Sequence, residues 1–146
     1  MPVVTPTDFM RFDKEKKLFA ERPQSARTGY LGSARLSRIE LKNLSQKLAA
    51  IKVDLIIDKK GVLPSFARAG FDPALGKMYL RKGATHFEAF HETQHAEQWA
   101  ALGQAAYQKQ SRYEREKYVF DKIVDHQHLF SKSEMVAATK YIESLS

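Results

Sequence analysis

The chain has 146 residues, no cysteine and a formal net charge of +7, with a sequence pI near 9.6. That length suits one domain with its own hydrophobic core, and the missing thiols exclude disulfides, cysteine-held zinc and a cysteine nucleophile. The sequence contains no long apolar run and no signal-peptide core, so neither membrane insertion nor a signal peptide of its own is expected.

Residues 1–35 scatter Pro2, Pro6, Pro23, Gly29 and Gly32 among charges and show little periodicity. They read as a linker or a loosely packed arm, with the folded domain expected over 36–146. Ser37-Arg38-Ile39-Glu40 is a capping box, and Leu41, Leu44, Leu48 and Ile51 supply the apolar stripe of a first helix. Val53 to Ile57 is short and rich in branched apolar residues, which predicts a strand stopped by Lys59-Lys60-Gly61. Val62 to Ala69 is expected to pair with it. Asp72-Pro73-Ala74-Leu75-Gly76 is turn chemistry, and Lys77 to Leu80 follows as another strand.

Thr85-His86-Phe87-Glu88 is a second capping box, and Gly103 is the matching stop signal. Between them Phe87, His91, His95, Gln98, Trp99 and Leu102 recur at spacings of three and four, predicting a helix with these residues on its inward face. That helix carries His91-Glu92-Thr93-Gln94-His95, an HExxH motif. Residues four apart share a helix face, so both imidazoles reach one Zn²⁺, while Glu92 stands one step round, placed to act on water rather than to bind the metal. A lone histidine on an apolar face is more often an ordinary core residue. Two with a glutamate between them, on the buried side of a capped helix, favour the zinc peptidase arrangement.

A catalytic zinc needs a third protein ligand and an open position. Ser111-Arg112-Tyr113-Glu114 starts a further helix through Val119, Phe120, Ile123 and Val124. Glu114 is its capping residue and faces a polar side. Glu116 has Tyr113, Val119, Phe120 and Ile123 around it at helical spacing, so its carboxylate is expected in the core, where coordination would remove the cost of an unpaired charge. Glu116, twenty-one positions after His95, is therefore the chosen third ligand. Glu114, His126, His128 and Glu134 are the reserves, and a buried ion pair is the rival role for Glu116. His126 and His128 follow Asp125 near a helix end, which suits a solvated C-terminal turn as well as a ligand or carbonyl-polarising role. Either of them, or Tyr113 or Tyr118, qualifies as an oxyanion stabiliser; nothing in the sequence chooses. Met135, Val136, Tyr141, Ile142 and Leu145 predict a last amphipathic helix closing the core.

The basic balance raises a nucleic-acid-binding domain or nuclease as an alternative. The positive residues, among them Lys14, Arg22, Arg38, Lys59, Arg81, Lys82 and Arg115, form no dense tract, however. Spread charge is more often a solvated face, and it equally suits docking of an acidic protein.

HExxH followed downstream by a glutamate resembles the gluzincin branch of the zincin metallopeptidases. Gln98 and Ala101 stand where the metzincin extension requires glycine and histidine, so that branch is excluded. More narrowly, Gly70 to Phe120 is similar to the small zincin-like metallopeptidase toxin domains of bacterial polymorphic toxin systems. The likeness rests on the Phe-Asp-Pro turn, the Gly76-Lys77-Met78-Tyr79-Leu80 strand, the lysine-glycine loop, the HExxH helix and the Arg115-Glu116 pair. The resemblance implies an α+β fold, with a short antiparallel or mixed sheet packed against the HExxH helix and further helices. It also implies an extended peptide bound along an edge strand just before that helix, near Met78, Tyr79 and Leu80. It implies further a C-terminal toxin module, delivered into a competing cell through a larger parent toxin or a secretion apparatus and restrained by an immunity protein.

The expected reaction is hydrolysis of a peptide or protein substrate. Zn²⁺ on His91, His95 and Glu116 would acidify water and polarise the carbonyl, with Glu92 as general base. Nucleic acid is not expected as a partner. Two alternatives stand beside this. One is a non-catalytic binding module whose structural zinc is closed by a fourth ligand such as His126 or His128. The other is the basic nucleic-acid binder.

Overall fold

The computed structural model describes residues 8–11 and 33–146 of the chain. Strand β1 (Asp8–Arg11) is followed by helix α1 (Arg38–Ala49), strands β2 (Asp54–Ile57), β3 (Ala67–Asp72) and β4 (Lys77–Leu80), and helices α2 (His86–Leu102), α3 (Gln104–Lys109), α4 (Arg112–Asp125) and α5 (Lys132–Leu145). The architecture is α+β. Most of the segment read as an arm, residues 1–35, lies outside the described residues; within it, residues 8–11 pair with β3, a strand that no alternation in the sequence announced.

The sheet is mixed, with strand order β1-β3-β4-β2. β3 runs antiparallel to β1 and β4, whereas β2 runs parallel to β4. Two expectations are corrected by this order. The segment expected to pair with Val53–Ile57 does not do so: β3 begins only at Ala67, and the partner of β2 is β4. Nor is β4 an edge strand open to a peptide. It lies between β3 and β2, with Met78, Tyr79 and Leu80 all buried. Three successive apolar residues leave no polar face for solvent, which accounts for burial of both faces, whereas the central position is set by pairing with β3 on one side and β2 on the other.

The β3–β4 turn is closed by Asp72, whose side chain accepts from the Ala74 amide at 2.9 Å and whose carbonyl accepts from the Gly76 amide at 2.8 Å. Gly76 has φ +65°, and a Cβ there would stand 2.8 Å from Trp99 Cη2 and 3.3 Å from the Lys52 carbonyl oxygen. Gly76→Ala should therefore destabilise the fold by roughly 1–3 kcal/mol, through both the left-handed backbone and overpacking. A lowered urea midpoint with an unchanged m-value would register it; an unchanged midpoint would refute the close packing.

Each of the four longer helices opens on a complete capping box: Ser37 with Glu40, Thr85 with Glu88, Ser111 with Glu114, and Ser131 with Glu134. The helix α2 is buried on nearly every side rather than along one stripe, and of the expected stripe Leu102 is exposed. On the sheet side Ala89 and Ala96 share a core with Leu48, Ala69, Phe71, Met78, Leu80 and Tyr107. On the other side Phe87 packs with Val119 and Ile123 of α4 and Ala137 and Ala138 of α5. Three bonds fix the position of α2. Glu88 accepts from the Thr85 amide at 2.9 Å and from Arg68 Nε on β3 at 3.0 Å, and Trp99 Nε1 donates to the Pro73 carbonyl at 2.9 Å.

Candidate metal centre

A helix enclosed by sheet and helices can carry polar side chains inward only if they meet partners there. His91, Glu92 and His95 are all buried, and each offers a ligand atom within 4.8 Å of the others. The partner comes from α4. Glu116 Oε1 lies 3.1 Å from His91 Nε2 and 3.0 Å from His95 Nε2. Glu116 is only 2% exposed, as expected of a carboxylate whose helical neighbours include the buried Val119 and Ile123.

Burial by itself would raise the Glu116 carboxyl. Positive charge on His95, with hydrogen bonds from both imidazoles, reverses that and holds it well below the usual carboxylate range. One oxygen within hydrogen-bond distance of two Nε2 atoms requires a proton on each nitrogen or a cation in place of both. Zinc–ligand bonds of about 2.0–2.1 Å imply ligand–ligand edges of roughly 3.3 Å in a tetrahedron, a few tenths wider than the spacings here. The donor set therefore fits zinc with a small adjustment. Charge fits as well: two buried carboxylates, Glu92 and Glu116, balance one divalent ion while both imidazoles stay neutral.

The remaining ring nitrogen of His95, Nδ1, lies 3.1 Å from the hydroxyl of the fully buried Tyr107. If Nε2 is kept for a metal, Nδ1 carries the proton and the Tyr107 oxygen accepts it, which sets tautomer and ring orientation together. Tyr107 sits on the short α3, whose direction is set by Gly103 at φ +87°. Tyr141 of α5 packs its ring on His91 with centroids 6.0 Å apart. Neither tyrosine was singled out for the site by the sequence, because no helical spacing links them to the HExxH motif.

The reserve ligands lie elsewhere. Glu114 is exposed and caps α4 through the Ser111 amide at 2.9 Å. His126 is the C-cap of α4, with Nδ1 2.8 Å from the Lys122 carbonyl and its ring against Phe90 and His128. Glu134 accepts from the Ser131 amide at 2.7 Å, so its role is the cap of α5, although its second oxygen is buried without a hydrogen-bond partner. Tyr113, placed among the apolar neighbours of Glu116, is exposed at the surface.

A mixed sheet backing a buried HExxH helix, with a carboxylate from the next long helix brought to both imidazoles, defines a domain of the metallopeptidase type. The chain belongs to the metallopeptidase toxin 4 family, whose model matches residues 20–146. Neither the curated proteins nor the solved structures give a match. Among the described residues no helix is long and apolar enough to cross a membrane.

Proposed function

We propose that this domain is a zinc-dependent peptidase of the gluzincin pattern, with His91, His95 and Glu116 as the protein ligands and Glu92 as general base. The observation that carries the reading is the convergence of both Nε2 atoms on one Glu116 oxygen within 3.1 Å, with Glu92 beside them. Two imidazoles and one carboxylate are donors that suit zinc and leave a fourth position for water or substrate. Bound there, the ion supplies a Lewis acid that polarises the scissile carbonyl and acidifies water.

The protein's own part begins with Glu92, which follows His91 directly in α2 and is 0% exposed. It takes the proton of the attacking water and passes it to the leaving amide nitrogen. Tyr107 keeps His95 oriented. Tyr107→Phe should leave His95 Nδ1 without its partner in a buried setting and weaken zinc affinity about 10–100-fold. Competition with a chromogenic chelator measures this; unchanged affinity would remove the orienting role.

The family supports a toxin setting. In that reading the domain is the C-terminal toxin module of an interbacterial effector, cleaving peptide or protein targets after delivery through a parent toxin or secretion apparatus. An immunity protein would protect the producer, and a net charge of +7 suits an acidic one.

Metal removal tests the reading. Treatment with 1,10-phenanthroline should abolish hydrolysis of unfolded casein, zinc should restore it, and far-UV circular dichroism should stay unchanged throughout. Unfolding on chelation would instead favour a structural zinc. Against that alternative, His126 is held at the end of α4 by the Lys122 carbonyl and Phe90, and neither it nor His128 joins His91 and His95 in a metal-capable grouping among the described residues.

A further inference from the structure

Helix α4 brings two groups to the centre. Arg112 stands one helical turn before Glu116, so the face that carries the carboxylate to the imidazoles also carries a guanidinium. Arg112 Nη2 donates to the Tyr141 hydroxyl at 3.1 Å. Tyr141 is itself held by packing, 7% exposed and with its ring against His91. Its phenol is thus fixed from two sides at the edge of the His91–Glu92–His95–Glu116 group.

The other aromatic and imidazole candidates are placed differently. Tyr113 is exposed, Tyr118 lies under Lys122 with the ammonium 5.4 Å from its ring centroid, and His126 is held at the end of α4. From this geometry we infer that Tyr141 donates the hydrogen bond that stabilises the oxyanion of peptide hydrolysis, and that Arg112 is the residue that positions it. The inference rests on the peptidase reading above. As the water oxygen bonds to the carbonyl carbon, the carbonyl π pair moves onto oxygen while Glu92 takes the water proton. Tyr141 keeps its own proton and hydrogen-bonds that oxygen, more strongly as alkoxide than as carbonyl. The oxyanion pair then re-forms the carbonyl as the carbon–nitrogen bond breaks, its electron pair leaving on nitrogen, which receives the proton from Glu92.

The test uses the full chain with zinc and a fluorogenic peptide that wild type cleaves, chosen from a randomised mixture, with Glu92→Gln as the inactive control. Tyr141→Phe should lower kcat roughly 10²–10³-fold with KM and zinc content little changed, the loss typical of one oxyanion donor. Arg112→Ala should lower kcat in wild type but add little in the Tyr141→Phe background, which general damage to the fold would not reproduce. Wild-type kcat in folded Tyr141→Phe overturns the inference and leaves the peptidase reading intact. Should Tyr141→Phe fail to fold, Arg112→Ala decides, a fall in kcat at constant KM supporting the role and an unchanged kcat overturning it. A wild type that cleaves nothing in the mixture overturns the peptidase reading, and the inference with it.

Discussion

Glu92→Gln should lower kcat roughly 10²–10⁴-fold, the range a positioned acid–base group contributes, while the chain keeps its fold and its zinc. Glutamine matches glutamate in size, so packing inside α2 is preserved, but its amide cannot take a proton from water. The histidines on either side of it in the motif are untouched. Metal content of the variant should equal that of wild type, which separates chemistry from assembly. If the variant cleaves peptide at the wild-type rate, Glu92 is not the base and the proposed mechanism fails, whatever the metal content.

The second large effect divides two carboxylates only two positions apart on α4. Glu116→Ala should lose zinc by more than about 100-fold in affinity, beyond what a supporting residue costs, whereas Glu114→Ala should keep it and show only a small loss of stability from the missing cap. The difference comes from helical phase: Glu116 faces His91 and His95, and Glu114 turns back to the Ser111 amide in solvent. Elemental analysis of both variants, with circular dichroism as the folding control, measures the contrast. Zinc retained by folded Glu116→Ala would return the third position to another residue. Because zinc ligation needs unprotonated Nε2 atoms and an ionised Glu116 carboxylate, apparent affinity should rise with pH.

The parts of this site that were legible in the sequence are those written at short range. HExxH spacing sets two histidines on one helix face, and the capping box at Thr85 with the glycine at 103 brackets that helix. Glu116 could be chosen over Glu114 because its neighbours at three, four and seven positions are apolar, which is a statement about one helix alone. Pairing of strands is another matter. Met78, Tyr79 and Leu80 are equally compatible with a hairpin, an edge or a central strand, and only assembly of β1, β3 and β2 around them decides. Tyr107 and Tyr141 were hidden for a similar reason. A tyrosine reaching the centre from another helix carries no periodic relation to it, and its place depends on the turn at Gly103 and on how α5 packs against α4. The closing helix was expected, but only as a source of apolar cover.

Four helix starts are each specified within four consecutive residues by a serine or threonine and a glutamate that satisfy each other's backbone amides. Signals of that kind persist in a chain that has lost every long-range contact. The parallel pairing of β2 with β4, by contrast, closes a loop that contains all of β3 and has no local nucleus. Refolding from a fully extended chain therefore has its boundaries marked before any core exists, and its slow event is assembly of the sheet.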